Sequence, residues 1–123
     1  MKTRLLLIDD EVVTLKMTKM LLDKHDFDVE ISQNTSEAIS VLTTAEIDLI
    51  LLDISMPTLD GFDFIKLMQS LRIRVPVIFL SNHDDDYIQK VASSEGVKRC
   101  VSKNKQLAQL PRIIDEVMAE QRA

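Results

Sequence analysis

Leu49-Ile50-Leu51-Leu52-Asp53 is the stretch on which the fold turns. Four apolar residues in a row suit a strand buried on both faces, the setting of a strand inside a parallel sheet. Two other stretches share its character: Leu5-Leu6-Leu7-Ile8, followed by Asp9-Asp10, and Val77-Ile78-Phe79-Leu80, followed by Ser81. Asp28-Val29-Glu30-Ile31 alternates and predicts an edge strand, and Arg99-Cys100-Val101-Ser102 predicts a short fifth strand, also at an edge.

Helical patterns fill the gaps. Val13, Met17, Met20 and Leu21 are spaced i, i+4, i+7, i+8 and predict the buried stripe of a first helix. Ala38, Val41, Leu42 and Ala45 predict a second, with Asn34 and Glu37 as its N-terminal cap. Phe64, Leu67, Met68 and Leu71 predict a third, entered through Asp60-Gly61, read as a turn in which glycine permits positive φ. Ile88, Val91 and Ala92 predict a fourth that Gly96 ends in a left-handed conformation. Leu110, Ile113, Ile114 and Val117 predict a fifth, with Pro111 in its first turn. The six methionines read as core filler.

Strands and helices alternating five times imply an α/β fold with right-handed crossovers and helices on both faces. The expected architecture is a flavodoxin-like, doubly wound, five-stranded parallel sheet of order 2-1-3-4-5 with five helices. The 123 residues read as a single domain, 1–123, with a sizeable core and no linker.

Composition narrows the function. The longest apolar runs are four residues, far short of the ~20 that cross a bilayer. No signal-peptide pattern opens the chain, and Cys100, the only cysteine, allows no internal disulfide. A cytoplasmic location is expected. Net charge is −5 and no more than two basic residues are adjacent, which argues against direct nucleic-acid binding.

Sites in open α/β sheets lie beyond the carboxyl ends of the strands. Asp9 and Asp10, Asp53, Ser81 and Lys103 all fall there, on four strands that are neighbours in the expected order. Gathered carboxylates repel, by about 4 kcal/mol for a pair ~4 Å apart at an effective dielectric of about 20. A hard divalent cation, Mg²⁺ or Mn²⁺, relieves this. The expected ligands are Asp10, Asp53 and the backbone carbonyl of Ser55, with Asp9 acting through water. Such a cation beside carboxylates suits phosphate chemistry. Ser81 offers a hydroxyl, Lys103 a compact positive charge, and centrally placed Asp53 a nucleophile able to become an aspartyl phosphate. Each residue alone has a plainer reading: strand-end acids, a capping serine, a surface lysine. Their joint register favours the site. Asp84-Asp85-Asp86 reads as acids at a helix N-terminus, and His25 and His83 have no metal-ligand spacing.

With Leu7-Ile8-Asp9-Asp10-Glu11, Asp53-Ile54-Ser55-Met56-Pro57-Thr58-Leu59-Asp60-Gly61, Ser81 and Lys103 in this order, the whole chain resembles a response-regulator receiver domain of two-component signalling, similar to the chemotaxis regulators. The resemblance implies Mg²⁺-dependent transfer of a phosphoryl group to Asp53 from a phosphohistidine on a sensor histidine kinase or histidine phosphotransfer protein. It also implies slow self-hydrolysis, and an output through a downstream protein or a fused effector domain. Such a domain is no enzyme beyond catalysing its own phosphorylation and dephosphorylation. Ser81 would follow the phosphoryl group inward and shift the face of the fourth helix, fifth strand and fifth helix.

Three positions depart from the pattern. Cys100 stands where the family usually has an aromatic ring, Asn104 where it has proline, and Asn82 where it has a smaller residue. Without proline, the peptide after Lys103 is expected to be trans. The chemistry then looks intact while the parts that read it differ. A swing of the output face as large as in aromatic-bearing relatives, seen in structures with and without a phosphoryl mimic, would refute that hypothesis. A pseudo-receiver that only binds partners is the main competing reading, and the acid cluster argues against it. A flavodoxin-like cofactor carrier fails because Asp9-Asp10-Glu11 would repel a phosphate, and a metal-dependent phosphatase fails for lack of a cap.

Overall fold

The computed structural model describes residues 2–55, 60–82 and 96–122. In chain order it contains β1 (Arg4–Ile8), α1 (Val12–Asp23), β2 (Asp28–Ser32), α2 (Thr35–Thr44), β3 (Leu49–Asp53), α3 (Gly61–Ser70), β4 (Val77–Ser81), β5 (Arg99–Ser102) and α4 (Leu110–Arg122), the last preceded by a 3-10 turn at Leu107–Gln109. All five strands are parallel, in the order β2-β1-β3-β4-β5. Four α-helices occur among the described residues, against five expected. The helix expected around Ile88, Val91 and Ala92 lies outside them, as do Met56, Pro57, His83, Asp84-Asp85-Asp86 and Tyr87.

Each face of the sheet carries its own apolar cluster. Leu5, Leu7, Leu49, Leu51, Ile78 and Leu80 point to one side, where Leu15 and Leu22 of α1 and Ile113, Ile114 and Val117 of α4 cover them. Leu6, Ile8, Ile50, Leu52 and Phe79 point to the other, against Ala38 of α2 and Phe64, Ile65 and Met68 of α3. Every residue of β3 and β4 is buried. A fully buried leucine contributes about 1.5–3 kcal/mol, and Leu5 to Ile8 of β1 are buried as completely, so these three strands and the helices packed on them carry much of the driving force. Pro111 lies in the first turn of α4, where its missing N–H costs nothing.

The cap of α2 forms as the sequence implies. Asn34 accepts from the Glu37 N–H at 2.9 Å, and the Glu37 carboxylate accepts from the Gln33 N–H at 2.8 Å.

Three expectations need correction. The buried face of α1 is Leu15, Thr18 and Leu22, whereas Val13, Met17 and Met20 are each more than 60% exposed. The methionines are therefore not all core filler, although Met68 is. In α3, Leu67 and Leu71 are exposed, and Gly61 and Ile65 share the buried face with Phe64 and Met68.

Asp60-Gly61 is more than a turn. Asp60 caps α3, accepting from the Phe62 N–H at 2.9 Å, and Gly61 is its buried first residue. A Cβ on Gly61 would lie 2.7 Å from Ile54 Cγ2 and 3.2 Å from Phe79 Cζ, so glycine is required for close approach and not for positive φ. Of the two glycines it is Gly96 that has positive φ, at 85°, as do Asp26 and Arg72. Gly61→Ala is expected to destabilise by about 1–3 kcal/mol, since crowding outweighs the better helix propensity of alanine. An unchanged urea midpoint would show that Ile54 yields freely.

Every peptide bond among the described residues is trans, including the one after Lys103. No helix among the described residues is long and apolar enough to cross a membrane.

Candidate functional site

The register brings the strand ends level. Ile8 pairs with Leu52, Asp53 with Leu80, and Ser81 with Ser102. Asp9 follows β1, Asp53 ends β3, Ser81 ends β4 and Lys103 follows β5, so one edge of the sheet collects all of them. Lys103 Nζ donates to Asp53 Oδ2 at 2.9 Å and to Asp9 Oδ2 at 3.0 Å. Both carboxylates are almost wholly buried, and the lysine side chain is 12% exposed. The surface-lysine reading of Lys103 is thereby excluded. Asp10 is exposed, yet it offers a carboxylate oxygen that lies with those of Asp9 and Asp53 inside a 4.8 Å group. Ser81 is buried, and its carbonyl accepts from the Lys103 N–H at 2.8 Å.

Two backbone donors aim the carboxylates. The Glu11 N–H donates to Asp9 Oδ1 at 3.0 Å, and the Ser55 N–H donates to Asp53 Oδ1 at 2.8 Å. In each case an aspartate grips the backbone two residues on, which aspartate commonly does at the start of a turn. That signal was available in the sequence. Further out, the Asn82 N–H donates to Ser55 Oγ at 3.2 Å, and Asn104 Nδ2 donates to the Asn82 carbonyl at 2.7 Å. The sequence places Asn82 near Asp53 as a bulkier residue, but the contact between the two asparagines is one that sequence reasoning missed. No local spacing marks a contact between residues 82 and 104.

The electrostatics follow from the burial. Removal from water raises the pKa of Asp53 above its ordinary 3.8; the Lys103 and Ser55 hydrogen bonds and the Lys103 charge pull it down, the Asp9 charge adds to the rise, and the net shift is upward. For Lys103 burial disfavours the charge, but hydrogen bonds and charges from Asp53 and Asp9 together outweigh it and raise its pKa above 10.5. One ammonium against three carboxylates leaves a formal double negative charge.

That surplus is the test of whether a divalent cation fits. The donors are all hard carboxylate oxygens, they lie within 4.8 Å of one another, and Asp10 keeps one of them open to solvent. Mg²⁺ holds its ligands at about 2.0–2.1 Å and keeps several waters, so a group of this span suits it. The residues present fit the group.

The pattern of the response regulator receiver domain family matches residues 5–115. The response regulator SaeR of Staphylococcus aureus (strain USA300) is 31% identical over 101 residues, covering 79% of this chain and 44% of SaeR. The chain thus spans less than half the length of that relative. Among solved structures, a CheY-like response regulator receiver domain protein from Methanospirillum hungatei JF-1 superposes with a TM-score of 0.85 at 23% identity, over 99% of this chain and 98% of that one. A response regulator receiver domain protein from Clostridium thermocellum gives 0.85 at 25% identity, over 98% and 97%. Matched along nearly its whole length, and with the fold of solved receivers, the chain belongs to the response regulator receiver domain family.

Proposed function

We propose that Asp53 accepts a phosphoryl group from a phosphohistidine on a sensor histidine kinase or histidine phosphotransfer protein. The observation that carries the reading is a buried Asp53 carboxylate held by Lys103 Nζ at 2.9 Å, with oxygens of Asp9 and Asp10 grouped beside it.

In the transfer, a bond forms between an Asp53 carboxylate oxygen and phosphorus as the phosphorus–nitrogen bond breaks, and the imidazole keeps the electron pair. The Ser55 N–H holds one Asp53 oxygen and so fixes the orientation of the carboxylate. Lys103 Nζ places positive charge beside the other oxygen, where a phosphoryl oxygen would gather charge. Ser81 supplies a hydroxyl from the end of β4. Asp10, Asp53 and the Ser55 carbonyl would hold Mg²⁺ or Mn²⁺ directly, and Asp9 through water. When bound, that ion supplies charge neutralisation for the phosphoryl oxygens.

Beyond its own phosphorylation and dephosphorylation the domain would catalyse nothing. Its output would be altered contacts with a downstream protein or a fused effector domain. A single cysteine and the family's two-component setting support a cytoplasmic location.

The test is intact mass after incubation with acetyl phosphate and Mg²⁺. Gain of one phosphoryl group is expected, with none in EDTA. No gain with either Mg²⁺ or Mn²⁺ would leave the domain a binding module.

A further inference from the structure

Ser55, Asn82 and Asn104 form a hydrogen-bonded strap beside the site. The Asn82 N–H reaches Ser55 Oγ at 3.2 Å, and Asn104 Nδ2 reaches the Asn82 carbonyl at 2.7 Å. The strap joins the chain segments that leave β3, β4 and β5. Each member stands beside a residue of the site: Ser55 two positions after Asp53, Asn82 next to Ser81, and Asn104 next to Lys103.

Lysine carries its charge on a flexible four-carbon stem, so where Nζ lies depends on where the backbone holds its root. At Lys103 the root is fixed on one side by the N–H bond to the Ser81 carbonyl at 2.8 Å. On the other side, the Gln106 side chain accepts from the Ser102 N–H at 3.1 Å and the Gln106 N–H donates to the Ser102 carbonyl at 2.8 Å. Both of those bonds stay within the loop that leaves β5. The Asn104 amide is different, because it crosses to the segment that leaves β4. Asn82 and Asn104 are both exposed, so the bond competes with water and adds little to stability. Its effect is on geometry.

From this we infer that Asn104 is a positioning residue, which holds the root of Lys103 against the β4 segment so that Nζ reaches both Asp53 and Asp9. The inference rests on the reading of Lys103 as the phosphoryl-binding charge. Misplacement by about 1 Å costs up to ~100-fold in a positioned reaction. Loss of one tie among several should cost about tenfold.

The experiment compares the wild type, Asn104→Ala, Lys103→Met and the double variant, each with acetyl phosphate at saturating Mg²⁺, by the rate of phosphoryl gain in intact mass. Asn104→Ala is expected to be about tenfold slower than wild type, with Mg²⁺ affinity in calorimetric titration unchanged. In the Lys103→Met background the same substitution should cost nothing further, because a residue that acts through Lys103 has nothing left to position. A general weakening of the fold would instead lower both backgrounds alike. Asn104→Leu, which keeps the branched shape with neither an amide donor nor a charge, gives the same reading if the alanine variant does not fold. An Asn104→Ala rate equal to wild type, or a loss that persists without Lys103, overturns the inference and leaves the proposed function standing. A wild type that gains no phosphoryl group overturns the proposed function and this inference with it.

Discussion

Asp53→Asn is expected to gain no phosphoryl group from acetyl phosphate and Mg²⁺ over a time in which the wild type is fully converted. The amide keeps the shape of the side chain and loses the nucleophilic oxygen pair. The same variant has an opposite signature in stability. Burial raises the pKa of Asp53, so its contribution favours folding fully only below its unfolded pKa and is lost as pH rises through the folded value. Wherever the carboxylate is ionised in the folded state it therefore opposes folding, and the amide removes that opposition. In EDTA at pH 7, Asp53→Asn should melt no lower than the wild type. In Mg²⁺ the order should reverse, because an ion that binds only the folded state adds about 2.7 kcal/mol at a hundred times its Kd. A variant still phosphorylated would point to another acceptor. A variant that melts lower in EDTA would show that the pull of Lys103 on Asp53 exceeds the cost of burial.

Lys103→Met should be the most destabilising change at the site. It leaves the carboxylates of Asp9 and Asp53 buried without the ammonium that each touches. Removing one partner from a buried ion pair costs about 3–5 kcal/mol, and urea denaturation in EDTA at pH 7 measures it. Mg²⁺ should recover part of the loss by replacing the missing positive charge. The pH dependence has a definite sign. Because the pKa of Lys103 is raised above 10.5, its contribution is complete at lower pH and is lost only as pH rises through the folded value. Wild type and variant should therefore converge in strong alkali. Phosphorylation of the variant should be slowed by about 10²–10³-fold, the usual loss when one charge-stabilising donor is removed. An unchanged urea midpoint in EDTA would mean that water already shields the two carboxylates.

The fold was legible because its central strands carry no polar residue except at their ends. Leu5 to Ile8, Leu49 to Leu52 and Val77 to Leu80 have one interpretation in a chain that alternates strand and helix. The site was legible for a related reason. Once those strands lie parallel in the order β2-β1-β3-β4-β5, Asp9, Asp53, Ser81 and Lys103 must end at one edge. The face of α1 was not legible, because that helix is apolar on two sides. Leu15, Thr18 and Leu22 form one stripe, and Val13, Met17 and Met20 form another on the far side. The charged Lys16, Lys19 and Asp23 occupy the flank between them and favour neither. Gly61 was misread because a sequence shows that glycine permits unusual φ, but not that Ile54 and Phe79 leave no room for a Cβ. Asn82 and Asn104 were noticed only as departures from a family pattern. Their contact joins loops 22 residues apart, and nothing in either neighbourhood announces it.

The lysine contacts also have a kinetic meaning. Lys103 meets Asp53 across 50 residues of sequence and Asp9 across 94. Closing loops of that length is entropically costly and comes late, after nearby segments have paired. Neither contact can form until β5, which Lys103 follows, lies beside β4. Competence for phosphoryl transfer should rise no earlier than helical signal in stopped-flow refolding, which makes the site a reporter of the moment when the last strand joins the sheet.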